Sequence, residues 1–130
     1  MDYLTIAKDY SKKRSIIPND HNGYAYISCL IFNKSSKILL SKGINKYNID
    51  GKFNTIHAEV DAIKKLKINN KRKKVNLLVF RTNKQGDSLL MAKPCIHCLQ
   101  YIYKNIYKKG YRLHNIYYTD YKGIINKFKH

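Results

Sequence analysis

Acidic side chains are scarce in this chain: eight aspartates and glutamates face 26 lysines and arginines, for a formal net charge of +18 over 130 residues. Only one of the eight is a glutamate, Glu59. Cysteine is confined to positions 29, 95 and 98, too few for a disulfide framework, so a reducing compartment is expected and the thiols are left for other chemistry. No apolar run reaches eighteen residues, which excludes a membrane-crossing helix. The start, Met1 to Leu4, meets the charged Lys8 to Arg14 stretch without an apolar core, so no secretory signal is expected. Repeats, low-complexity tracts and a second domain are missing as well. The chain reads as one soluble domain, 1–130, expected in the cytoplasm or nucleus and without a membrane partner.

The positive charge is unevenly placed. Lys64, Lys65, Lys67, Lys71, Arg72, Lys73 and Lys74 form one group, and Lys12, Lys13 and Arg14 a second. Such an excess attracts polyanions through counterion release, and Tyr101, Tyr117, Tyr118 and Tyr121 are candidates to stack on unpaired bases. The expected partner is thus a nucleotide or a single-stranded nucleic acid. A bland explanation stands beside this one: arginines number only four while lysine, asparagine, isoleucine and tyrosine abound, as AU-rich codons would give. The sequence also leaves a homo-oligomer open.

Hydrophobic patterning alternates between periods of about 3.6 and about 2. Leu4 to Lys13 reads as a short helix, Pro18 to Gly23 as a turn, Tyr24 to Phe32 as a buried strand and Ile38 to Ser41 as its hairpin partner. A loop from Gly43 to Asn54 precedes a helix that Asn54-Thr55 would cap, with Val60, Ile63 and Leu66 as its apolar stripe and a polar linker over Asn69 to Lys74. Val75 to Arg81 follows as a central strand, then a turn at Gln85-Gly86-Asp87. A second helix spans Cys95 to Lys109 with Leu99, Ile102, Tyr103 and Ile106 inward and Gly110 as its stop. His114 to Thr119 and Ile124 to Phe128 close the chain as strands. The class is α/β, with three α/β/α layers around a mixed sheet of about five strands.

Two short motifs carry chemistry. His57-Ala58-Glu59 and Pro94-Cys95-Ile96-His97-Cys98 each fall at a predicted helix start. Cysteines at i and i+3 share one helix face, and the positive end of the helix dipole favours them as thiolates. One imidazole and two thiolates make a three-ligand zinc site with an open fourth position for water. Glu59, on the same opening turn as His57, is placed to move protons beside the metal. Either motif alone is weak: Pro-Cys-x-x-Cys also suits a redox pair or half of a closed structural zinc site, in which Cys29 or His97 would be the fourth ligand. Cys29 lies in an apolar strand and reads as a core thiol; His97 reads as a rim residue.

The order of these pieces from about Tyr24 to Phe128 resembles the cytidine deaminase-like superfamily: strand, hairpin, a Gly-x-Asn loop, a His-Ala-Glu helix, strand, a Pro-Cys-x-x-Cys helix, strand. The resemblance implies His57, Cys95 and Cys98 as zinc ligands and Glu59 as the proton shuttle. It also implies that Asn45, in Gly43-Ile44-Asn45, contacts the sugar or base edge and that the Ala58 backbone N–H meets the base carbonyl. Hydrolytic deamination of cytosine to uracil is the implied reaction, in single-stranded RNA or DNA or in a nucleotide. A histidine first ligand points away from the free nucleoside. Adenine deamination in RNA, a free-nucleotide deaminase and a catalytically silent RNA-binding module are the alternatives; cytosine is preferred because no counterpart of the C-terminal helix of tRNA adenosine deaminases is apparent.

Overall fold

The computed structural model describes residues 2–16, 26–45, 57–83 and 87–128. In chain order they form α1 (Tyr3–Ile16), β1 (Tyr26–Asn33), β2 (Leu39–Ile44), α2 (Ala58–Lys65), β3 (Lys74–Thr82), β4 (Leu89–Leu90), α3 (Ile96–Lys108), β5 (Arg112–Thr119) and β6 (Ile125–Lys127). The sheet runs β2-β1-β3-β5-β6, with β4 on the far end of β3. Neighbouring strands are antiparallel except β3 and β5. That parallel pair needs a crossover, which α3 supplies.

β3 organises the layers because its side chains alternate between faces. Val75, Leu77 and Val79 enter a core with Ala58, Ala62 and Ile63 of α2 and Leu99, Ile102 and Ile106 of α3. Leu78 and Phe80 enter a second core with Ala7 of α1 and Leu30 and Phe32 of β1. Helices therefore cover both faces, and the three-layer α/β/α expectation holds. The sheet has six strands rather than about five. The extra one, β4, is two residues long, too short for any periodicity to announce.

Local chemistry sets several boundaries. Asp2 Oδ1 accepts from the N–H groups of Leu4 (3.1 Å) and Thr5 (3.2 Å), so α1 starts before Leu4. Asn33 Oδ1 accepts from Ser35 N–H (2.9 Å) and Ser36 N–H (3.1 Å), an Asx turn that closes the β1–β2 hairpin. β2 begins at Leu39, not Ile38, and continues through Gly43 and Ile44, which were expected in a loop. α2 has His57 itself as its N-cap and ends at Lys65, well short of Asn69; Asn54 and Thr55, like Pro18 to Ala25 and Gln85-Gly86, lie outside the described residues. α3 starts one residue later than expected, with Cys95 as its N-cap and Pro94 just outside. Tyr103 is 43% exposed, so the buried stripe is narrower than predicted. Gly110 ends α3 as expected, with φ +90.

Eight residues are too few to make α2 stable by itself, so tertiary contacts hold it. β2 lies so close beneath it that a Cβ on Gly43 would overlap the backbone of Ala58 and Ala62. Ser41 Oγ donates to Ala62 O at 2.6 Å, and Asp61 Oδ2 accepts from Ile44 N–H at 3.1 Å. These contacts fix the start of α2 over one end of the sheet.

Candidate active site

The site is built from two helix starts and the end of β3. His57 caps α2, Cys95 caps α3, and Cys98 stands three residues further along, in the first turn of α3. One ligand atom from each lies within 4.8 Å of the others. His57 Nδ1 is 2.9 Å from Cys98 Sγ, and Cys98 N–H reaches Cys95 Sγ at 3.5 Å. Cys98 is buried while His57 and Cys95 are exposed, so the group is open on one side. An imidazole and two sulfurs at this separation are a donor set that fits zinc.

Cys29 and His97 are not in this group, as expected. Cys29 is wholly buried in β1, and burial followed by the Glu59 carboxylate pushes its thiol well up. His97 is exposed. At Cys98 the helix dipole meets opposing influences. Burial first, then the charge of Glu59, raises its pKa far above the ordinary thiol range in the metal-free protein. Burial and a carboxylate neighbour act together on the same sulfur. A metal held there would displace the proton.

Glu59 lies on the first turn of α2 at 5% exposure, and its carboxylate acts on the Cys98 thiol. It lines a cavity of about 270 Å³ together with His57, Cys95, Cys98, Asn45 and Arg81. Asn45, just past β2, is held in place by two bonds to β1: its Oδ1 accepts from Ile27 N–H (3.0 Å) and its N–H donates to Ile27 O (3.1 Å). Ala58 is the first residue of α2, where the helix leaves amides without an intrahelical acceptor. His57, Glu59, Cys95, Cys98 and Asn45 line this one cavity, while Ala58 is buried beside His57 at the start of α2.

Three contributors were missed. Asp61, buried in α2, ties the end of β2 to the helix and pairs with Lys65 at 2.9 Å. Arg81 and Lys93 line the cavity. Arg81 had a readable signal: it follows Val79 at the period-2 spacing that puts both on the site-facing side of β3.

The profile of the cytidine and deoxycytidylate deaminase zinc-binding region matches residues 3–111. The chain belongs to that family. The cytidine deaminase from Mycobacterium leprae has the same fold, with a TM-score of 0.55 at 18% identity over 98% of this chain and 93% of that one. The cytidine deaminase from Mycobacterium tuberculosis gives 0.52 at 15% identity over 89% and 84%. No curated protein sequence matches. The chain is accordingly a zinc-dependent deaminase, and His57, Cys95 and Cys98 form the group that fits the metal.

The deaminase family member's charge lies elsewhere. Lys64 and Lys65 are in the last turn of α2, about 10 Å along the helix from His57. Lys71 to Lys74 lead into the start of β3, at the opposite end of that strand from Arg81. Arg72 packs on the Tyr107 ring, 4.0 Å from its centroid, and donates to Tyr107 O. The aromatic candidates are mostly engaged too. Tyr117 stacks on Tyr3 at 4.3 Å, Tyr101 and Tyr118 pack against the α2–α3 core, and Tyr121 alone of the four is exposed. Among the described residues no helix is long and apolar enough to cross a membrane.

Proposed function

We propose that this deaminase converts cytosine to uracil in a nucleotide, and in the free nucleotide rather than in a strand. The observation that carries the reading is the placement of the chain's sole glutamate: Glu59 is buried in the same cavity as the three metal-binding side chains. A buried carboxylate beside a cavity is suited to proton transfer.

When bound, zinc supplies Lewis-acid activation of a water at its open position. The remaining work falls to the chain. Glu59 takes a proton from the attacking water and delivers it to N3 of the ring as the new bond forms at C4. It then carries a proton to the amine nitrogen, so that ammonia leaves and the ring retains the oxygen. Cytosine plus water gives uracil plus ammonia, and the carboxylate is regenerated. The Ala58 N–H, at the first helical position, is assigned to the base carbonyl, and Asn45 to the sugar or base edge. Asn45 suits a positioning role because its two bonds to Ile27 fix it.

Free nucleotide is preferred to strand on two grounds. The principal lysine group sits away from the cavity, and three of the four tyrosines proposed to stack on bases are packed within the fold. The test is product analysis with cytidine, deoxycytidylate, cytidylate and short single strands, using the zinc-loaded protein and Glu59→Gln. The variant should keep its fold and about one zinc per chain while turnover falls on the order of 10²- to 10⁴-fold. Turnover at the parent rate would refute the assignment of Glu59.

A further inference from the structure

Arg81 is the cation that the cavity does not otherwise explain. It sits on β3, whose backbone is paired on both sides there, with Ile27 of β1 and Leu90 of β4. The side chain is therefore mounted on a rigid wall rather than a loop. It is half-buried, and its Nε is shut off from solvent with no hydrogen-bond partner among the described residues. No carboxylate among those residues forms an ion pair with it; the one acidic side chain lining the cavity is Glu59, which is given to proton transfer.

The enclosed Nε is out of a ligand's reach as well, so a ligand in the cavity would meet the guanidinium at its terminal nitrogens. Lys93 adds a second cation at the same cavity, exposed and 5.6 Å from the Phe128 ring centroid. Two thiolates balance the charge of a bound zinc. That leaves Arg81 and Lys93 against Glu59, a surplus of one positive charge in a cavity sized for a small ligand.

We infer that Arg81 binds the phosphate of the substrate nucleotide and sets the preference for nucleotide over nucleoside, with Lys93 adding charge at the rim. The planar fork of arginine matches phosphate oxygens bidentately, which a lysine cannot reproduce. The inference rests on the cytosine-nucleotide reading above and deepens it. The same chemistry could come from the monoester of a free nucleotide or the diester of a strand; the monoester is assigned, since the large lysine group that would follow a strand lies toward the other end of β3.

The experiment compares parent, Arg81→Met, Arg81→Lys and Lys93→Met as zinc-loaded proteins. kcat/KM is measured for deoxycytidylate, deoxycytidine and a short single-stranded DNA. Binding of deoxyuridylate and deoxyuridine is measured by calorimetry, independently of turnover. In Arg81→Met the nucleotide-over-nucleoside ratio should fall about 10- to 100-fold, through KM more than kcat, with the same factor in the binding ratio. Arg81→Lys should recover only part of it. Lys93→Met, at an exposed position, should lower the ratio a few-fold and keeps the test alive if the Arg81 variants fail to fold. Equal losses on nucleotide and nucleoside, or a selective loss seen only with the DNA strand, would overturn the assignment. A parent that deaminates both monomers equally well also overturns it, while leaving cytosine deamination standing. A parent that makes no product yet binds the monophosphate through Arg81 does the reverse.

Discussion

Gly43 is the position at which fold and chemistry are most tightly joined, and Gly43→Ala should damage both. An added Cβ would overlap Ala62 N and Ala58 O and stand 2.8 Å from Ala62 Cα. All three are backbone atoms, so no rotamer change can relieve the clash. Ordinary contact for such a carbon begins near 3.4 Å. The nearest of the three, Ala62 N, requires α2 to lift from β2 by about an ångström, and the helix carries His57 and Glu59 with it. Overpacking of this kind costs about 1–3 kcal/mol. The lift also weakens the bonds from Ser41 Oγ to Ala62 O and from Ile44 N–H to Asp61. Misplacing catalytic groups by about 1 Å can cost on the order of 10²-fold in rate. Denaturant unfolding and kcat/KM on the same zinc-loaded sample measure the two effects. The expected result is a lower midpoint with unchanged m-value and a rate loss beyond the unfolded fraction. Ser41→Ala, which removes one bond and adds no atoms, should lower stability by about 1 kcal/mol with little effect on rate. A Gly43→Ala protein with parental midpoint and parental turnover would show that the β2–α2 approach does not position the site.

Zinc affinity should rise with pH, because Cys98 holds its proton when no metal is bound: burial and Glu59 raise its pKa, so below that value each binding event must displace a proton. Competition with a chromophoric chelator between pH 6 and 8 should show about a tenfold gain per unit for each proton displaced, and a flat profile would contradict the protonation state assigned to Cys98. Reversing Lys71, Lys73 and Lys74 to glutamate should leave deoxycytidylate turnover and zinc content unchanged while reducing the salt dependence of any single-strand binding. A fall in nucleotide turnover would place that lysine group at the site after all.

Much of the site was readable because its parts are local. His57, Glu59, Cys95 and Cys98 fall within two short stretches, and each stretch opens a helix, so spacing alone predicts which side chains converge once a sheet brings the helices together. β1, β3 and β5 were readable as apolar runs for the same reason. The end of α2 was not: the only sequence mark was the polar linker from Asn69, yet the helix stops at Lys65 and Ile68 is 72% exposed. Gly43 reads as a loop residue in sequence, and only the through-space approach of α2 shows why a side chain is excluded there. The proton on Cys98 depends on burial and on a carboxylate 39 positions earlier, neither of which a motif records. Arg81 has the same character, since its meaning comes from the cavity it shares with the metal-binding group.

The strict alternation along β3 also determines where the gene can gain or lose codons. Deleting one residue between Val75 and Phe80 would turn the following side chains to the opposite face. Phe80 would then face the metal site, and Arg81 would be driven into the apolar layer under α1 beside Leu30 and Phe32. Such a deletion would disrupt two cores and the cavity in a single event. Length variation among descendants of this chain should therefore collect in the segments flanking the strand, at 67–73 and after Thr82, and spare the nine residues of β3 between them.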